Sequence, residues 1–359
     1  MSHALSILPE YGADGQYHGS AYIRLIQPFT HPEVLGKDFI ADFGKDLPAD
    51  AHPDVVIVER GWRPDLSMTL AEDLLQRIQR QRARFWWMVD DNLFDTHPSW
   101  ETERHLAPLR PIFRLFAREA DTVLVSTTAL AERLQGMANR VIVLPNLLDE
   151  RLLSSRPSQQ TPATQAPQPN SPLRIAYMGT FTHGPDLAFI LPALVKVLSE
   201  FPNVHLEILG VSQHLGKLPQ LLGNRLQVWQ GAPAVYPRFL PWVTRSTDWD
   251  IGLAPLMRNA FNDNKSDIKI LDYAACGSVT ICSAVPAYQQ SGPLAGGLLC
   301  GADMTSWEDA LAEMLNDPAL RHARQEKART YLLEHRTLAA AGGYWRRSLR
   351  SAFLNDPNG

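Results

Sequence analysis

Cysteine is scarce in this sequence: Cys276, Cys282 and Cys300 are three thiols among 359 residues. None has metal-motif spacing, and three thiols cannot build a disulfide framework, so a reducing compartment is expected. An excess of one charge is also lacking. Thirty-four basic and 38 acidic residues leave a formal net charge of −4, which gives no footprint for nucleic acid. No stretch approaches the roughly 20 apolar residues of a membrane span. Residues 1–10 have neither a basic start nor a long apolar run, so they do not read as a signal peptide. These absences predict a cytoplasmic chain with no nucleic-acid partner. What is abundant is apolar material: a 45% hydrophobic composition supplies enough for two cores.

Residues 154–172 are built from Ser, Pro, Gln, Thr and Ala, with almost nothing to bury, and read as a linker. Before them, apolar runs at 5–8, 55–58, 85–89, 123–125 and 141–144 read as strands, and 68–81, 104–120 and 128–137 as helices. After them, strands read at 173–178, 204–209, 226–229, 251–254, 279–282 and 297–300. Helices read at 187–200, 237–246, 267–276 and 307–316. Short continuous apolar strands alternating with helices indicate buried parallel sheets, hence two α/β domains. The expected divisions are 1–153, the linker 154–172, 173–336, and a helical tail 337–359. In such sheets ligands bind at the carboxyl ends of strands, often in a cleft between domains.

The loops after these strands carry the candidate residues. Residues 253–277 run from an apolar strand through the polar loop Phe261-Asn262-Asp263-Asn264-Lys265-Ser266 into a helix that ends at Gly277. With the helix opening at Ser266, its free N–H groups would suit an anion. Lys265, Lys269 and Asp272 then fall at i, i+4 and i+7 on one face. Two cations beside a helix start suit a diphosphate, and the acid suits sugar or ribose hydroxyls; a solvated Lys/Asp stripe is the competing reading. After strand 173–178, Gly179 and Gly184 permit close backbone approach. Thr180 and His183 lie in the same loop, and Asp186 is placed as a helix N-cap. Tyr236 and Phe239 either stack near a base or belong to the core.

In the first domain, the strand 85–89 ends in Asp90 and Asp91. One is expected to face the ligand and the other to brace the loop. Adjacent positions on a strand point to opposite faces, which argues against a metal site. Arg24, after the first strand, either meets an acceptor phosphate or braces the acids.

The segment 261–277 resembles the donor-binding segment of retaining glycosyltransferases with the GT-B fold, glycosyltransferase family 4. Val89-Asp-Asp-Asn-Leu-Phe, Val125-Ser-Thr-Thr-Ala-Leu-Ala-Glu-Arg-Leu, Val143-Leu-Pro-Asn and Tyr177-Met-Gly-Thr-Phe-Thr-His-Gly-Pro-Asp-Leu resemble that family too, in the same order. The most similar subgroup acts in bacterial cell-surface polysaccharide assembly. The resemblance implies two Rossmann-like doubly wound domains facing a cleft, with the helix 337–355, bearing Trp345, Leu349 and Phe353, crossing back to the first. It implies a nucleotide-sugar donor on the second domain and a glycan or lipid-linked acceptor on the first. Peripheral contact with the inner membrane, transfer with retention, and no metal or cofactor are further implications. By position, Asp272 matches the acid that holds the ribose. Asn264 stands where the family's first Glu would be, eight residues earlier. The family's Arg and Lys after the first strand of the donor domain are missing, which leaves Lys265, Lys269 and the helix start to neutralise the diphosphate.

The expected donor set is therefore Gly179, Thr180, His183, Asp186, Tyr236, Asn262, Asn264, Lys265, Ser266, Lys269 and Asp272. Asp90, Asp91 and Arg24 form the expected catalytic set, and closure across the linker would exclude water. A sugar-nucleotide epimerase and a non-catalytic sugar-binding homologue are the alternatives.

Overall fold

A computed structural model of the chain describes residues 2–95, 101–153, 172–180, 183–210 and 215–354. The expected linker lies outside the described residues apart from Pro172. The chain divides into two compact units. The first comprises Met1–Glu150, the short segment Asp263–Ser266 and His335–Gly359; the second comprises Arg151–Asn262 and Asp267–Glu334.

The first unit is built on a six-stranded parallel sheet in the order β2-β1-β3-β4-β5-β6. Its strands are β1 His3–Leu8, β2 Phe39–Phe43, β3 Val55–Glu59, β4 Arg84–Val89, β5 Thr122–Val125 and β6 Val141–Val143. Alternate residues of β3 and β4 serve opposite faces, as a pleat requires. Val56, Val58, Phe85, Trp87 and Val89 pack in one core. Val55, Ile57, Trp86 and Met88 pack in another, which includes Trp345 and Leu349 of the last helix, Leu338–Leu354. Both faces are covered, so these strands read as continuous apolar runs. The edge strand β2 was not legible as a run, because its residues alternate in burial and Ile40 is 63% exposed.

The second unit repeats this plan with β7 Leu173–Met178, β8 Val204–Leu209, β9 Leu226–Trp229, β10 Ile251–Ala254, β11 Val279–Ser283 and β12 Leu298–Cys300. Their order is β12-β11-β10-β7-β8-β9, all parallel. Counted within the unit, this is the Rossmann order 3-2-1-4-5-6. One core joins β7, β8, β10 and β11 to the helices Gly184–Glu200 and Met304–Asn316. The helix Pro318–His335, unmarked in the sequence reading, buries only Arg321, Ala328 and Leu332, too few to print a clear period.

Trp345 fastens the last helix to the first unit. It is fully buried, its indole N–H donates to the Pro145 carbonyl at 3.0 Å, and Arg24 lies 5.0 Å from its ring centroid. Trp345→Ala should therefore lower the stability of this unit by about 3–5 kcal/mol, as for other buried aromatic truncations. Urea unfolding followed by fluorescence checks this; a loss below about 1 kcal/mol would show that the helix contributes little to the unit.

Candidate functional site

In each sheet the strand order reverses once, and the loops leaving the two flanking strands part there. Ligands of open α/β sheets bind at that point. In the second unit the reversal lies between β7 and β10. Gly252 on β10 leaves room for Tyr273, because a Cβ there would stand 2.3 Å from the Tyr273 ring. The Tyr273 hydroxyl accepts from Met178 N at 2.9 Å and lies 3.0 Å from the Leu253 carbonyl. A side chain from the helix Ile268–Ala275 thus ties together the ends of the strands that flank the crevice.

Around this tie sit most of the expected donor residues. Gly179 follows β7, where an added Cβ would press on His183 Cβ at 3.0 Å and the Tyr177 hydroxyl at 3.2 Å. Thr180 is exposed, and Phe181 and Thr182 lie outside the described residues. Asp186 is not the N-cap expected of it: the helix Gly184–Glu200 has His183 at that position, with no side-chain cap. The Asp186 carboxylate is used elsewhere. It accepts from Met257 N at 3.0 Å and Asn262 Nδ2 at 3.1 Å, and its second oxygen lies 3.0 Å from His183 Nδ1. Burial opposes its charge, but these bonds and the nearby Lys269 hold the carboxyl below its usual range. Asp186 therefore joins the β7 loop to the β10 loop and orients the His183 ring.

Lys269 and Asp272 share a face of the helix Ile268–Ala275, as the spacing predicts. The Lys269 ammonium lies 5.2 Å from the Tyr177 ring centroid. Asp272 is 8% exposed and accepts from the Tyr236 hydroxyl at 2.8 Å. Burial pushes its carboxyl up to about 7, with the Tyr236 bond and Lys269 opposing. Tyr236 is thus buried and bonded through its hydroxyl to the acid, with the Phe239 ring 6.4 Å away.

The helix does not open at Ser266. It begins at Ile268, after Asp267. Ser266 turns its hydroxyl to Asn146 Nδ2, 2.9 Å away, instead of capping. Lys265 consequently precedes the helix and is not on the face of Lys269. The segment Asp263–Ser266 belongs to the first unit: Thr127 Oγ1 donates to the Asn264 carbonyl at 3.0 Å, and Lys265 Nζ lies 3.7 Å from Asp91 Oδ1.

In the first unit the order reverses between β1 and β3, and a cluster of charges gathers at those strand ends. Glu10 N donates to Glu59 Oε2 at 2.8 Å, and Glu10 Oε2 lies 3.1 Å from His18 Nδ1. Arg60 reaches Glu10 at 3.5 Å, Asp90 at 3.7 Å and Asp91 at 4.0 Å. It does so from a backbone φ of 45°, which is strained for a side chain of this size. Its own N–H and C=O are held by Met88 O at 2.8 Å and Trp87 Nε1 at 3.0 Å. Burial raises the Asp90 carboxyl against the pull of Arg60, while Arg60 and His18 keep Glu10 low despite burial. Glu59 is fully buried and is pushed up to about 8 by burial and by Glu10 and Asp90.

Arg24 lies behind this cluster. It is fully buried and donates to the Leu144 carbonyl at 2.6 Å and Asn146 Oδ1 at 2.7 Å. A buried guanidinium is not exposed to an acceptor phosphate, and among the described residues its hydrogen bonds brace Leu144, Asn146 and Met88, not the acids as expected. Glu10, Glu59, Arg60 and Tyr273 were missed in the sequence. The signal for two of them was Glu59-Arg60 closing the apolar run 55–58, the pattern that marked Asp90 and Asp91.

Asp272 yields a stability prediction. Its folded value of about 7 stands above the ordinary carboxylate value near 4. Between those limits the folded state binds more protons than the unfolded, so stability falls as pH rises from about 4 to about 7. Asp272→Asn keeps an acceptor for Tyr236 and removes the buried charge. At pH 8 it should exceed the wild type by up to about 4 kcal/mol relative to the difference at pH 4. Denaturation at both pH values checks this, and parallel curves would contradict it.

No family model matches the chain, and no curated protein matches it in sequence. Solved structures do. A sucrose-phosphate synthase from Thermosynechococcus elongatus superposes with a TM-score of 0.68 at 15% identity, covering 98% of this chain and 99% of that one. HepE from Anabaena, in complex with UDP, gives 0.64 at 14% identity, covering 98% and 100%. An α,α-trehalose 6-phosphate synthase from Burkholderia multivorans gives 0.55 at 14% identity, covering 86% and 72%. The chain therefore has the GT-B fold, two Rossmann-like α/β domains of which each carries a parallel sheet reversed once in order.

Proposed function

We propose that this chain is a glycosyltransferase that moves a sugar from a nucleotide-sugar donor to a hydroxyl of a glycan or glycolipid. One observation carries the reading: at the strand-order reversal of the second unit, Asp186 binds the loops after β7 and β10 together and holds His183, with Lys269 and Asp272 on the adjoining helix. Cation, oriented imidazole, acid and helix start are the groups that a nucleoside diphosphate and its sugar require. In this reading Lys269 and the helix start offset diphosphate charge, Asp272 accepts from ribose, and His183, Asn262, Gly179 and Thr180 border the donor. Stabilising the departing diphosphate is the main electrostatic contribution to transfer. Support also comes from HepE of Anabaena, which has been solved with UDP and with UDP-glucose.

Transfer with retention, without a metal, in bacterial cell-surface polysaccharide synthesis completes the proposal and follows the family resemblance. Asp90 and Asp91 then serve the acceptor side. Among the described residues no helix is long and apolar enough to cross a membrane. The reading includes peripheral contact with a membrane where the acceptor is lipid-linked.

The reading predicts a specific loss on mutation. Lys269→Ala should weaken binding of the best nucleoside diphosphate among UDP, GDP and dTDP by about 1.5–3 kcal/mol, as for a charge-assisted hydrogen bond. Calorimetry on the full chain measures this. Unchanged affinity in Lys269→Ala, with the wild type binding, would remove the lysine from the donor site; absence of binding by the wild type to every nucleotide would overturn the function.

A further inference from the structure

Three partly exposed carboxylates meet at the strand-order reversal of the first unit, with side-chain exposures of 18% for Glu10 and Asp90 and 24% for Asp91. Reversal points are where such sheets take ligands. The cations beside these acids are already engaged. Arg60 is within 4.0 Å of all three, Lys265 is 3.7 Å from Asp91, and Arg24 is spent on Leu144, Asn146 and Met88. Arg60 and Lys265 stand within ion-pair distance of these acids, and His18 Nδ1 lies 3.1 Å from Glu10.

A second observation is independent of the acids' number. Glu59 is fully buried at the floor of the cluster, with Glu10 and Asp90 as its electrostatic neighbours. Its Oε2 is bonded to Glu10 N, whereas among the described residues its Oε1 has no hydrogen-bond partner. Asp90 Oδ1 and Arg60 Nε, 3.7 Å apart, also lack hydrogen bonds among the described residues. Buried polar groups are ordinarily satisfied, so orphaned donors and acceptors side by side mark a place built for another polar group. An O–H group is the simplest that gives to a carboxylate and accepts from a guanidinium. A phosphate only accepts at neutral pH apart from its one titrating proton, and it would add negative charge beside three carboxylates.

We propose that Glu10, Asp90 and Asp91, gathered on Arg60, form an acceptor subsite that takes an uncharged, hydroxyl-rich sugar and rejects an acceptor bearing a phosphate at that end. The inference rests on the transferase reading and narrows its acceptor class. Glu59 acts as a positioning residue from below, and Arg60 sets the spacing of the acids from its left-handed backbone.

Carboxylate footprinting of the full chain tests it. Carbodiimide labelling of Glu10, Asp90 and Asp91 is followed by peptide mass spectrometry, alone and with a panel of uncharged mono- and disaccharides, glucose 6-phosphate, or inorganic phosphate at matched concentration. At least one uncharged sugar should slow labelling of these three acids several-fold, and the phosphorylated sugar and phosphate should not. In the Glu10→Gln, Asp91→Asn double variant, phosphate should begin to slow labelling at Asp90. Protection by phosphate in the wild type, or by no sugar of the panel, overturns the proposal. Nucleoside-diphosphate binding is read separately by calorimetry: binding without sugar protection refutes this subsite alone, and no binding at all refutes the transferase reading.

Discussion

Two parallel strands that diverge at a reversal of sheet order leave a crevice lined by loop backbone that no neighbouring strand covers. The rest of this structure answers that constraint. In the second unit Tyr273 and Asp186 bridge the crevice between β7 and β10, one through backbone groups of Met178 and Leu253, the other through Met257 N and Asn262. In the first unit Arg60 does the corresponding work between acids that follow β1 and β4. A polar group fixed at such a point calls for a partner, from the protein or from what binds there, because an unmet buried donor or acceptor costs about 1–3 kcal/mol. The pairing brings specific side chains into register with whatever enters.

The two crevices differ in charge. That of the second unit sets Lys269 and a helix start beside Asp272 and Asp186, and both acids are held in contacts with neighbours: Tyr236 for one, His183, Met257 and Asn262 for the other. That of the first unit has acids at its rim. The first arrangement suits an anion and the second suits hydroxyls. A sugar transferase needs both, one for the departing diphosphate and one for the attacking alcohol.

Much of this was legible in the sequence, for identifiable reasons. Buried parallel strands print as apolar runs, so β3, β4, β7, β8 and β10 were read close to their observed bounds, and residues placed just after them fell at the sheet ends. Lys269 and Asp272 were found because helical spacing puts them on one face. Four features were hidden. The start of the helix after β10 depends on Ser266 turning its hydroxyl to Asn146, a tertiary contact that spacing does not carry. Asp186 at a helix start looks like a cap whether or not it caps. Glu59 closes its apolar run as Asp90 and Asp91 do, but the pattern carries no sign that its carboxylate is fully buried. Tyr273 carries no sequence signal of its own, because its role depends on Gly252, a residue without a side chain.

In the proposed function, the crevice of the second unit holds the nucleotide of a sugar donor. Hydrogen–deuterium exchange on the full chain, with and without the nucleoside diphosphate that binds, reads it directly. The account predicts slowed exchange in two stretches of the second unit, the loop and first helical turn after β7 and the start of the helix Ile268–Ala275. Protection confined to other parts of the chain, with these two stretches unchanged, would contradict it.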